Sequence, residues 1–169
     1  MRHVVLMGVS GSGKSSLGAA LAARLGWTFI EADALHSVEN VAKMRRGVAL
    51  TDADRAPWLD AVGARIVAAE HVERSSVTCC SALKRAYRDR LRLKAPSIHF
   101  VFLEIAPDDA RVRVSARSDH YMPASLVDAQ FATLEPPGDD ELLARLNACA
   151  PLTENLETLC AALAISPRT

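Results

Sequence analysis

Long apolar runs are missing from this 169-residue chain. The first candidate, Val4 to Val9, gives way to glycines and Lys14, too short for a signal h-region or for the ~20 residues of a membrane span. A cytoplasmic location and no membrane partner are the expectation. Neither sign of charge is in excess, because 20 basic residues balance 20 acidic ones. Nothing global therefore draws the chain to nucleic acid or anionic lipid, and any anion binding must be local. Cysteine is scarce too: Cys79 and Cys80 are adjacent in an apolar run, while Cys149 and Cys160 lie at no metal-ligand spacing. They read as reduced, buried thiols. Internal repeats, low-complexity segments and linkers are also lacking, and at roughly 150 residues per domain the length fits a single folding unit. With 50% hydrophobic and 24% charged residues, disorder is excluded, and a chain of this size buries about 70% of its unfolded surface.

What is present is an alternation. Strand patterns at His3 to Met7, Trp27 to Ile30, Ser76 to Cys80 and Ile98 to Ile105 are separated by helical ones. The helical patterns cover Lys14 to Leu25, Asp54 to Glu70, Leu83 to Leu93, Pro107 to Ala116, Ala124 to Leu134, Asp140 to Leu146 and Glu154 to Leu163. This order predicts an α/β three-layer sandwich, a parallel sheet with helices on both faces. Ligands of such sheets bind at the carboxyl ends of the strands.

The strongest local signal is Gly8-Val9-Ser10-Gly11-Ser12-Gly13-Lys14-Ser15, which fits G-x-x-x-x-G-K-[ST] between a strand and a helix. Glycines let the loop fold back so that its N–H groups converge on a phosphate, helped by the positive end of the next helix. Lys14 then reaches the β- and γ-phosphates and the Ser15 hydroxyl is a Mg²⁺ ligand. With Gly at about 7% of residues, a chance match in this length is on the order of 0.5%. A GTPase is not indicated, since no Asn-Lys-x-Asp occurs and the one Asp-x-x-Gly match, Asp60 to Gly63, lies inside a helical pattern.

The acceptor side follows the second strand. Asp33 projects there at the sheet edge, where a carboxylate orients an attacking hydroxyl and takes its proton; as an ordinary residue it is a helix N-cap. His36 by itself reads as a structural hydrogen-bonding residue. Thr51 or Asp52 caps the next helix, Trp58 and Leu59 fit the core, and Arg55 either pairs with a nearby aspartate or clamps an anionic substrate. Between Lys84 and Lys94 six basic residues face one acid, Asp89. Lys84 and Arg88, four apart, form a stripe that starts beside Ser81 at the active edge. Arg113, Arg117 and His120 share a helical face, which suits a lid over about residues 111–125.

With those residues placed, the sequence resembles gluconokinases of the small P-loop type, related in fold to shikimate and nucleoside monophosphate kinases. The resemblance runs through Met7 to Ser15, Glu31 to Leu59, Cys80 to Asp89, and His120-Tyr-Met-Pro123 with Gln130 to Pro137. Ala32, Ser37, Ala49 and Tyr121 depart from the usual family residues without removing a charge or a nucleophile. The resemblance implies one P-loop kinase domain over 1–169, a homodimer, and ATP-dependent, Mg²⁺-requiring phosphorylation of the terminal hydroxyl of D-gluconate to 6-phospho-D-gluconate. It implies nucleotide contacts along Gly8 to Ser16 and from Arg113 and Arg117, with Lys14, Asp33 and Arg117 catalytic. Asp33 is also placed to serve the metal. Substrate contacts fall on Asp33, His36, Arg55, Ser81, Lys84, Arg88, His120 and Gln130. Two other readings stand beside it: a kinase for another small hydroxy acid such as shikimate, and a nucleotide-binding regulator without turnover.

Overall fold

The computed structural model describes residues 1–116 and 125–164. Arg117 and His120 thus lie outside the described residues. Among the latter, five parallel strands form one sheet: β1 (His3–Met7), β2 (Thr28–Glu31), β3 (Ser76–Cys79), β4 (Ile98–Glu104) and β5 (Leu142–Asn147). Their spatial order is β2-β3-β1-β4-β5. The connecting helices are α1 (Lys14–Leu25), α2 (Val38–Arg45), α3 (Asp52–His71), α4 (Arg85–Lys94), α5 (Pro107–Ser115), α6 (Ser125–Thr133) and α7 (Leu152–Ala162), with a 3₁₀ turn at Ala32–Leu35.

The central strand is buried along its whole length. Its alternate residues serve two cores, as pleating requires. Val4 and Leu6 pack with Leu17 and Leu21 of α1 and Leu159 of α7, whereas Val5 and Met7 pack with Trp58, Leu59 and Ile66 of α3 and Leu91 of α4. The sheet is thereby covered on both faces, which accounts for the unbroken apolar character of Val4 to Met7. Helix α1 sits close: a Cβ on Gly18 would approach Cys79 Sγ to 2.4 Å.

Strand order reverses between β1 and β3, because the chain leaves β1 for β2 on one side and leaves β3 for β4 on the other. The crevice outside that reversal is where such folds bind ligands. There the chains leaving β1 and β3 are joined by backbone bonds from Cys80 N–H to the Leu6 carbonyl, 3.1 Å, and from Gly8 N–H to the Ser81 carbonyl, 3.2 Å.

Three expectations are corrected. Asp140 to Leu146 is not a helix; Leu142–Asn147 is the edge strand β5, paired to β4 from Phe100 to Glu104. Its helix-forming leucines, alanine and arginine yield to that pairing and to the Arg145 guanidinium over the Phe102 ring at 5.2 Å. Helix α2, given no element in the sequence reading, is started by Ser37, whose side chain accepts the Asn40 N–H. Cys149 is exposed, unlike Cys79, Cys80 and Cys160.

One buried ion pair holds β5 in place. Arg88 and Glu141 side chains are 1% and 2% exposed and meet at 2.8 Å. Both Nε and Nη2 of Arg88 donate to the carboxylate, while Nη1 donates to the Ala82, Leu83 and Glu135 carbonyls. Arg88 first, then Arg92, holds the Glu141 carboxyl down to about 2. A carboxyl depressed in the folded state stabilises it above the unfolded pKa and ceases to do so as pH falls through the folded one. Stability measured by denaturant unfolding should accordingly decline between about pH 4.5 and 2. Glu141→Leu should cost about 3 to 5 kcal/mol by stranding Arg88, and adding Arg88→Met should recover part of that loss; additive costs in the double-mutant cycle would contradict the pairing.

Candidate active site

The loop between β1 and α1 is shaped by Gly8, Gly11 and Gly13, with φ of 141°, 85° and 86°. A Cβ on Gly11 would also lie 2.8 Å from the Ala110 carbonyl, so no other residue fits there. Gly13 caps α1 without a side-chain bond, leaving the first-turn N–H groups directed outward. Ser12 Oγ bonds the Val9 carbonyl at 2.9 Å, and Ser10 N–H donates to Gln130 Oε1 of α6 at 2.7 Å. Lys14 Nζ donates to the Val9 carbonyl at 2.9 Å. Burial lowers its pKa, and the Asp33 carboxylate leads the groups that oppose this.

Two cavities flank this loop. One, of about 370 Å³, is lined by Gly13, Ser16, Arg113, Ala148, Leu152 and Asn155 among others. Arg113 Nη1 donates there to the Gly11 and Ala148 carbonyls, at 3.4 and 3.0 Å. Asn155 Nδ2 donates to the Asn147 carbonyl at 2.9 Å, fixing the turn between β5 and α7. This wall was illegible in the sequence, where the β5 segment read as a helix.

The other cavity brings together Ser10, Lys14, Asp33, His36, Arg55, Ser81 and Gln130. At about 30 Å³ it has room for about two waters. Met44 of α2 and Leu50 after it line it too, and pack with Leu126 of α6 in a small core of their own. Asp33 is not an N-cap: it lies within the 3₁₀ turn, which Trp58 Nε1 fixes by donating to the Ala32 carbonyl at 2.7 Å. Trp58 also stacks on His36, with centroids 4.3 Å apart and planes 12° apart. Burial takes His36 down to about 4, the Asp33 charge opposes this, and Arg55 adds to it. His36 is thus neutral near pH 7, and its Nδ1 is buried without a hydrogen-bond partner.

The three cations predicted at the acceptor end differ in their partners. Arg55 Nη1 donates to the Leu50 carbonyl at 2.5 Å and to the Tyr87 hydroxyl at 3.4 Å, and pairs with no aspartate among the described residues. Lys84 stands at the extended N-cap of α4, bound to Asp52 at 2.8 Å. Arg88 is turned away from the cavity into its pair with Glu141, a correction with a simple cause. Lys84 is extended and precedes the helix, so the two share no stripe, and Arg88 lies on the buried face of α4 with Tyr87 and Leu91.

A carboxylate that the sequence reading left without a role joins the group. Glu31, the last residue of β2, hydrogen-bonds the Ser15 side chain and sits near Asp33 and Lys14; burial pushes its pKa up, while the Ser15 bond pulls it down. Its place at a strand end, two residues before Asp33, was the available signal. The sites of Ser15 and Ser16 are exposed, at the start of α1.

Comparison with known proteins shows the family. The model of the AAA domain family matches residues 4–137. A gluconokinase of Gluconobacter oxydans is 47% identical over 86% of this chain and 82% of its own. The chain belongs to the gluconokinase family. Among solved structures, an unliganded sugar kinase from Janibacter sp. superposes with a TM-score of 0.92 at 44% identity, covering 99% of this chain and 96% of that one. A gluconokinase from Sinorhizobium meliloti gives 0.85 at 45% identity, covering 96% and 91%.

The His36 environment makes a measurable statement. In NMR titration its ring signals should stay fixed from pH 8 to 5, against an ordinary midpoint near 6.5; a midpoint at that ordinary value would contradict the buried, Arg55-facing ring.

Proposed function

We propose that the chain transfers the γ-phosphoryl group of ATP to the terminal hydroxyl of D-gluconate, giving 6-phospho-D-gluconate and ADP. The observation that carries this reading is the position of the phosphate loop as the wall between the two cavities. Gly11 to Gly13 line the larger one and Ser10 with Lys14 the smaller. A nucleotide in the first thus presents its last phosphate to a hydroxyl in the second. The 370 Å³ cavity has the size of a ligand site, and its Arg113 and aliphatic lining suit a purine face. In the smaller cavity Asp33 is a carboxylate without an ion-pair partner among the described residues. It orients the hydroxyl and receives its proton as the O–P bond forms and the bond to ADP breaks, while Lys14 follows the charge on the transferred group. Shikimate is set aside, because the family relatives are gluconokinases.

The residues present fit Mg²⁺. Ser15 offers a hydroxyl with the Glu31 carboxylate bonded to it and Asp33 close by, an all-oxygen set suited to a hard cation that keeps its waters. When bound, the ion would neutralise charge on the β- and γ-phosphates. The reading includes a lid over about 111–125 carrying Arg113 and Arg117, with His120 on the acceptor side. It also includes parting of α2 and α6 to admit a six-carbon acid. The reading also includes a cytoplasmic location and a homodimer, the latter measured by light scattering on the purified chain.

A coupled assay of ADP release should show turnover with D-gluconate and none with shikimate or without acceptor. Asp33→Asn should lower kcat by about 10² to 10⁴ with ATP binding retained. Near wild-type turnover in that variant would remove Asp33 from the proton transfer.

A further inference from the structure

Selectivity for an acid over a neutral sugar requires a cation with a free face at the acceptor end. Among the described lysine and arginine residues assigned to that end, Arg88 is consumed by Glu141 and Lys84 by Asp52. Arg55 differs. Its two hydrogen bonds, to Leu50 O and Tyr87 Oη, both leave from Nη1, so Nε and Nη2 have no partner among the described residues. That pair of donors forms the side of a guanidinium that grips a carboxylate in bidentate fashion.

The two aspartates that precede Arg55 in sequence are diverted from it, while Asp33 lies across the same cavity. Asp54 is held by Lys43 at 2.6 Å and by Thr51 in a capping box. Asp52 accepts from Lys84 and from the Tyr87 hydroxyl. Because the phenol proton goes to Asp52, the phenol oxygen turns its lone pairs to Arg55. The Tyr87 ring is 6% exposed and is flanked by Arg55 Cζ at 5.7 Å and Lys84 Nζ at 5.6 Å from its centroid. Tyr87 therefore has little freedom to turn elsewhere.

We infer that Tyr87, locked by Asp52, is a positioning residue that aims the open Nε–Nη2 edge of Arg55 into the acceptor cavity and so sets selectivity for a carboxylate-bearing acceptor. The inference rests on the proposed gluconate reading and deepens it. Asp33 takes the hydroxyl end of the acceptor, Arg55 the carboxylate end, and the neutral His36 ring lies between them as a hydrogen-bonding partner for the chain hydroxyls.

The test compares D-gluconate with D-glucitol, the same carbon chain with a neutral CH₂OH in place of the carboxylate. The wild type, Tyr87→Phe, Asp52→Asn and Arg55→Met are assayed for KM of gluconate, KM of ATP and Ki of glucitol as competitor. In Tyr87→Phe and Asp52→Asn the KM for gluconate should rise about tenfold, the scale of one charge-assisted hydrogen bond. In Arg55→Met it should rise at least as much again. Ki for glucitol and KM for ATP should move less than about threefold, a split that loss of folding does not produce. Asp52 is exposed, so its variant keeps the test open if Tyr87→Phe fails to fold. Parallel loss of gluconate and glucitol affinity, or unchanged KM for gluconate, overturns the inference. Absence of gluconate turnover in the wild type overturns the functional reading itself, and with it this assignment.

Discussion

Everything at the site depends on how closely the chain after β1 is held to its neighbours. Gly8 donates to the Ser81 carbonyl beyond β3, and a Cβ on Gly8 would lie 2.7 Å from the Leu103 carbonyl of β4. The phosphate loop is therefore clamped between the two strands that flank β1. This clamp is possible because β1 is wholly buried and its register with both neighbours is fixed on two faces at once. A one-residue slip would exchange Val4 and Leu6 for Val5 and Met7 between two differently shaped cores. The direction of Lys14, the start of α1 and the separation of the two cavities all follow from that one register.

A chain of zero net charge makes its local positive sites by partner choice. Cations with structural duty are paired to carboxylates: Arg88 and Arg92 to Glu141, Arg90 to Asp60, Lys43 to Asp54 and Lys84 to Asp52. The three cations lining the cavities are instead held by neutral acceptors. Lys14 donates to Val9, Arg55 to Leu50 and Tyr87, and Arg113 to Gly11 and Ala148. A carbonyl orients a cation without neutralising it. An incoming phosphate or carboxylate makes the stronger, charge-assisted bond and displaces or adds to that contact.

The elements carrying the phosphate loop were legible because their signals are local. The alternation of strand and helix and the G-x-x-x-x-G-K-S spacing each sit within a few residues of what they specify. Helix α2 was not: its mixed composition shows no apolar period, and only the structure reveals Ser37 as its cap. Strand β5 was not, since Leu142 to Asn147 is helix-favouring in isolation and becomes a strand only through β4, some forty residues earlier. Arg88 failed for the same reason: its partner Glu141 is 53 residues away, and nothing near Arg88 announces it. The roles of Lys84 and Arg55 were left open by sequence because both lie at the acceptor edge, and only the three-dimensional disposition of Asp52 and Asp54 distinguishes them.

Trp58 joins these two levels. It belongs to the core against α3 and the sheet, yet its indole N–H fixes the Ala32 carbonyl, from which the turn bearing Asp33 begins, and its ring face covers His36. Covering that ring denies the imidazolium its water and keeps His36 neutral despite the carboxylate nearby. A charged imidazolium so placed would pair with Asp33 and occupy the lone pairs that a substrate hydroxyl needs. The same aromatic burial that stabilises α3 against the sheet thus leaves the Asp33 carboxylate open. Changes at Trp58 consequently act on the turn, on the charge state of His36 and on Asp33 together, and their effects on stability and on acceptor chemistry are not separable at that position.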